Sequence, residues 1–68
     1  MGSYSKRLIR LPEVMSKTGF SKAWIYRLIR KKHFPSPIKT GSRSIAFVES
    51  EVDGWIELRI AESRGESA

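Results

Sequence analysis

Residues Thr18 to Pro35, TGFSKAWIYRLIRKKHFP, carry the pattern that decides the fold of this 68-residue chain. The stretch opens on a glycine-containing turn and closes on a proline. Between them lie the rings of Trp24 and Tyr26, the aliphatics Ile25, Leu28 and Ile29, and the five cations Lys22, Arg27, Arg30, Lys31 and Lys32. Ser21 is a natural N-cap, because its hydroxyl accepts from a free backbone N–H in the first turn. A helix is predicted from there to about Lys32, since Pro35 and Pro37 impose an extended chain. At about 100° per residue, Ile25, Leu28, Ile29, Ser21 and the stem of Lys32 share one stripe, the core face. Ala23, Arg27 and Arg30 stand near the opposite pole, with Tyr26 on one flank and Trp24 and Lys31 on the other.

Upstream, LPEVMSKTG (11–19) reads as a shorter helix. Pro12 suits its first turn, Glu13 favours the positive end of the helix dipole, and Gly19 terminates it. RLIRL (7–11) is apolar at Leu8, Ile9 and Leu11 and too short to assign. The two helices are joined by a connection of about three residues containing glycine, the mark of a helix-turn-helix. Downstream, IKTGSRSIAF (38–47) places β-branched and aromatic residues on both sides of Gly41-Ser42-Arg43, which predicts a β-hairpin. The final helix is predicted over about 50–63. Ser50 would cap it with Asp53 in a capping-box position, and Val52, Trp55, Ile56, Arg59 and Ile60 recur at helical spacing. Gly54, unfavourable inside a helix, is expected to allow close packing beside Trp55.

Charge divides the chain. Residues 1–48 hold eleven Lys/Arg against one acid, and residues 49–68 hold two Arg against six acids, within an overall +6. So polarised a chain calls for a polyanionic partner at its basic part, and clustered cations that displace counterions from phosphates make nucleic acid the natural one. The length fits one domain over 1–68, with the helix-turn-helix at about 12–32 and a hairpin wing at about 38–47. No cysteine is present, which excludes disulfides and thiolate zinc sites. No apolar run approaches the ~20 residues of a membrane span, and the N-terminus lacks a signal-peptide core. A cytoplasmic, nucleoid-associated location is expected.

The outward face of the second helix has the chemistry of base reading. Arginine donates two parallel hydrogen bonds to the O6/N7 edge of guanine, and a small side chain permits close approach and contact with a thymine methyl. The N-terminal half of such a helix reaches base edges, so Lys22, Ala23 and Arg27 are expected at bases. Ser21, Tyr26, Arg30 and Lys31 are expected at phosphates or flanks. Lys39, Ser42 and Arg43, clustered about the hairpin turn, are expected to form a wing against phosphate or minor groove. Trp24 is read chiefly as an amphipathic ring packed on the edge of the core.

Several pieces together resemble the phage-type AlpA regulators: LPEV (11–14), the Gly19-Phe20-Ser21 turn, IYRLI (25–29) followed by FPSPIKTG (34–41), and SEVDGWI (50–56). The resemblance spans about Leu8 to Ile56. It implies a small, mainly helical α+β fold, a MerR-like winged helix-turn-helix. It also implies double-stranded DNA binding on a prophage or integrative element, in transcription regulation, excision, or both. The chain departs from the family pattern at Ala23-Trp24, where small hydroxyl residues are common, which bears on the DNA sequence preferred.

Two other classes of function compete. A basic RNA-binding module would use the same charge and rings, but the chain has neither an RRM-type aromatic strand motif nor a GXXG loop. A protein-interaction adaptor would use the acidic last helix, through Glu49, Glu51, Glu57 and Glu62, against a basic partner such as an integrase or against the transcription machinery. His33 is the sole histidine and has no partner ligands in sequence, so neither an enzyme, a metal site nor a cofactor is expected. No dimerisation heptad is visible, and a monomer that assembles on repeated DNA sites is expected.

Overall fold

Strand β3, Ile45–Val48, is the hub of the molecule. The computed structural model describes residues 6–65. β3 pairs antiparallel with β1, Leu8–Ile9, in the register Leu8↔Val48 and Ile9↔Phe47. On its other edge it pairs with β2, Ile38–Lys39, in the register Ile38↔Ala46 and Lys39↔Ile45. The result is a three-stranded sheet of order β1-β3-β2, with β2, β3 and the turn between them forming the hairpin. Within that turn Thr40 N–H donates to the Ser44 carbonyl at 2.9 Å.

Three helices accompany this sheet: α1, Leu11–Thr18, and α3, Glu49–Ser63, pack against β3, and α2, Lys22–Arg30, packs against α1. Helices α1 and α2 with the turn between them form a helix-turn-helix, and the hairpin is its wing. α1 has proline in its first turn and ends at Gly19, where φ is 77°. The glycine takes this left-handed conformation without a Cβ penalty, and its N–H donates to Met15 O at 2.7 Å. Thr18 tightens the turn: its hydroxyl donates to Val14 O and accepts from Phe20 N–H. Ser21 caps α2 as expected, accepting from Trp24 N–H at 3.2 Å.

The core is made by Ile9, Val14, Ile25, Phe34, Phe47 and Val52, one or more from nearly every element. Leu28, Ile29, Trp55 and Ile56 close it from the sides. Phe34 is its aromatic pivot, edge-on to Phe47 at 6.1 Å and to Trp55 at 4.8 Å between centroids. Such pairs add about 0.5–1.5 kcal/mol beyond area burial. This matters in a chain too small for a large core.

Four expectations need correction. α2 ends at Arg30, not Lys32. Lys32 takes φ 62°, its N–H donates to Ile29 O at 3.0 Å, and His33 N–H donates to Leu28 O at 2.8 Å. This is a Schellman stop, with lysine where glycine is usual, and it leaves Lys32 exposed rather than along the core stripe. Ser21 is also exposed and acts as a cap instead of a core neighbour. α3 starts at Glu49, with Val48 at its N-cap and no capping side chain, so Ser50 and Asp53 form no capping box. The sheet sets that start, because Glu49 N–H donates to Arg7 O at 2.8 Å. Asp53 instead receives a hydrogen bond from Lys17 Nζ at 2.8 Å. Finally, a Cβ at Gly54 would meet nothing within 4 Å, so close packing is not what that glycine provides.

Candidate nucleic-acid interface

The placement of acids decides which cations are left uncovered. Glu49 accepts from Arg7 at 2.9 Å and lies 3.2 Å from Lys17, which also meets Asp53 at 2.8 Å; Glu13 lies 3.6 Å from Arg7. The acidic start of α3 is thereby folded onto α1 and onto Arg7, just before β1. The Lys17 pKa is raised above its ordinary 10.5, first by the hydrogen bond to Asp53 and then by that to Glu49. Arg59 pairs with Glu62 within α3. Among the described residues, no carboxylate comes within 4.0 Å of Lys22, Arg27, Arg30, Lys31, Lys39 or Arg43. Uncovered charge is therefore concentrated on α2, the turn that ends it and the wing, with Lys6, Arg10 and Arg64 also unpaired elsewhere among the described residues.

α2 presents this charge on a rigid support. Ile25 is fully buried while Lys22, Ala23, Arg27, Arg30 and Lys31 are exposed. The predicted polar face is thus the solvent face. No acid sits in the first turn, so the positive end of the helix dipole is unopposed and attracts anions. Tyr26 is half-buried on the flank. Lys39, Ser42 and Arg43 are all exposed, on the separate hairpin.

Ser21, Ala23, Trp24 and Arg27 converge on a shallow hollow of about 150 Å³. The Arg27 guanidinium lies over the Trp24 ring, with Cζ 5.5 Å from the centroid. Trp24 in turn stands edge-on to Phe20 at 6.4 Å, and Phe20 stands edge-on to Trp55 at 6.0 Å. Trp24 is nevertheless 43% exposed, so it belongs to the solvent face of α2 as much as to the core edge. Sequence reading treated Trp24 and Arg27 separately, although their i, i+3 spacing makes them helix neighbours. It also missed the bond from Trp55 Nε1 to the His33 carbonyl, 2.7 Å, which ties α3 to the end of α2. Nothing local in the sequence signals that bond.

The fold and this face define a small winged helix-turn-helix with an exposed basic face on its second helix. The family model described as "Prophage CP4-57 regulatory protein (AlpA)" matches residues 7–60, and the chain belongs to that family. The uncharacterized protein ORF88 of Enterobacteria phage P4 is 45% identical over 56 residues, 82% of this chain and 64% of its own length. The chain thus spans just under two thirds of that phage relative. The DNA-binding transcriptional activator AlpA of Escherichia coli (strain K12) is 36% identical over 59 residues, 78% of this chain and 84% of its own length. No solved structure matches the chain. No helix among the described residues is long and apolar enough to cross a membrane.

Proposed function

We propose that this protein binds double-stranded DNA sequence-specifically and regulates transcription, acts as an excision factor, or does both, for a prophage or integrative element. The observation that carries the reading is the exposed cluster of cations on α2 and the wing with no carboxylate within 4.0 Å, while Glu49 and Asp53 are drawn to Arg7 and Lys17. Membership of the AlpA family supports it. In this reading α2 lies in the major groove, with Lys22, Ala23 and Arg27 at base edges. Ser21, Tyr26, Arg30 and Lys31 fix the register at phosphates, and Lys39, Ser42 and Arg43 hold the flank. The protein works in the cytoplasm, at the nucleoid, as a monomer that gains affinity on repeated sites. An integrase or the transcription machinery is the further partner, with no catalytic role for this chain.

The test separates reading from holding. Arg27→Ala is expected to cost roughly 1–3 kcal/mol and to relax preference at one base pair. Lys31→Ala is expected to weaken all duplexes evenly and to lower the salt slope by about one. Equal weakening of every sequence by Arg27→Ala would contradict base reading by α2.

A further inference from the structure

The chain contains neither asparagine nor glutamine, and no acid lies between Thr18 and Pro35. The side chains that pair with adenine N6/N7, and those that accept from cytosine N4, are therefore missing from the recognition helix. What remains for base discrimination is Lys22 and the arginine fork, which fit guanine, the Ser21 hydroxyl, which discriminates little between bases, and apolar contact, which fits the thymine methyl. The hollow beside Arg27 offers a place for that apolar contact. Its walls are the methyl of Ala23, the indole of Trp24 and the side chain of Arg27. The Ser21 hydroxyl oxygen at its edge accepts from Trp24 N–H at 3.2 Å.

The stacking gives the hollow its orientation. With Cζ 5.5 Å from the indole centroid, the guanidinium rests on Trp24 by cation–π attraction, and Arg is hydrated weakly enough to stack. In-plane donors stay available for guanine O6 and N7. The pyrimidine on the 5′ side of that guanine carries its 5-methyl group into the major groove, alongside the guanidinium.

We infer that Trp24 and Arg27 act as one unit that reads a 5-methylpyrimidine followed by guanine. Arg27 takes the guanine edge, the hollow takes the methyl group of the preceding thymine, and Trp24 is a positioning residue that holds the guanidinium and walls the hollow. The inference rests on the proposed entry of α2 into the major groove and adds the identity of a base step.

The experiment begins with selection of duplexes from a random-sequence pool by the full chain. Each thymine of the enriched site is then replaced by uracil, which removes only the 5-methyl group, and affinity is measured by titration. The expected result is an enriched TG step at which uracil weakens binding about fourfold, the worth of one buried methyl group, with other thymines far less sensitive. Trp24→Ala, checked by thermal melting, is expected to abolish that sensitivity. At the same position, 5-methylcytosine is expected to bind better than cytosine. The uracil arm leaves the protein unaltered, so it decides the matter whatever Trp24→Ala does to the fold. An enriched site without a TG step, or one whose thymines all accept uracil without loss, would overturn the inference while leaving DNA recognition in place. Enrichment of no sequence at all would overturn specific DNA recognition and the inference with it.

Discussion

Trp55 donates its indole Nε1–H to the backbone carbonyl of His33 at 2.7 Å, so α3 holds the turn that ends α2 through one directed bond. The same indole packs against Phe34 and Phe20. Trp55→Phe keeps most of the ring and removes the donor. It is expected to destabilise the protein by about 1 kcal/mol, the net worth of a hydrogen bond, and to lower Tm by roughly 4–8 °C. Thermal melts of the two proteins check this. An unchanged Tm would mean that ring packing alone anchors α2.

Lys32 sits at φ 62° in the Schellman stop of α2. A left-handed conformation costs a non-glycine residue about 1–2 kcal/mol, and glycine escapes that cost while making the unfolded chain more flexible. Lys32→Gly is therefore expected to raise stability by up to about 1 kcal/mol. Denaturant titration is the measurement, and a loss of stability would show that the lysine side chain contributes more than its backbone strain costs.

These two positions show where sequence reading reaches and where it stops. Pro12, Gly19 and Ser21 announced α1, the turn and the start of α2, because caps act within a few residues of themselves. The exposed basic face of α2 was legible for the same reason: helical spacing is local. Lys32 concealed the end of α2, since nothing but its neighbours' hydrogen bonds selects a lysine for a glycine conformation. Strand β1 escaped assignment because two residues carry no periodicity, and its partners are Phe47 and Val48, almost forty residues on. The start of α3 moved to Glu49 for a similar reason, as the bond to Arg7 belongs to the sheet. Charge counting found the polarity of the chain. Only the fold shows that Glu49 and Asp53 turn toward Lys17 and leave α2 and the wing uncovered.

That Lys17 cluster makes a pH prediction. The folded-state pKa of Lys17 is raised above 10.5, first by Asp53 and then by Glu49. A raised pKa means that the folded state keeps the proton which the unfolded state loses. The stabilisation is thus fully present below about 10.5 and is lost as pH rises through the higher folded value. Thermal melts of the wild type are expected to fall more steeply above this pH than those of Lys17→Gln. Parallel alkaline profiles for the two proteins would show that the contacts do not bind the proton.

Arg43 lies exposed beside the hairpin turn, and among the described residues no carboxylate pairs with it. If the hairpin acts as a wing, Arg43 meets sugar-phosphate or a narrow A·T-rich minor groove, which concentrates negative potential. Arg43→Ala is expected to change stability by no more than about 0.5 kcal/mol and to weaken binding more on A·T-rich flanks than on G·C-rich ones. Arg43→Lys is expected to recover part of the loss, since an ammonium is more strongly hydrated. Titration of both variants against both flanks is the check. Unchanged affinity in Arg43→Ala on every flank would make the hairpin purely structural.

The central claim is that the uncovered face of α2 recognises double-stranded DNA by sequence. Its most direct measurement is an equilibrium titration of the full chain, at one salt concentration, against three probes: the duplex enriched from a random pool, a scrambled duplex of the same length and composition, and an RNA hairpin. Binding to the enriched duplex is expected to be roughly 10³-fold or more tighter than to the scrambled one, with the RNA hairpin no better than the scrambled duplex. Equal affinity for all three would contradict the claim.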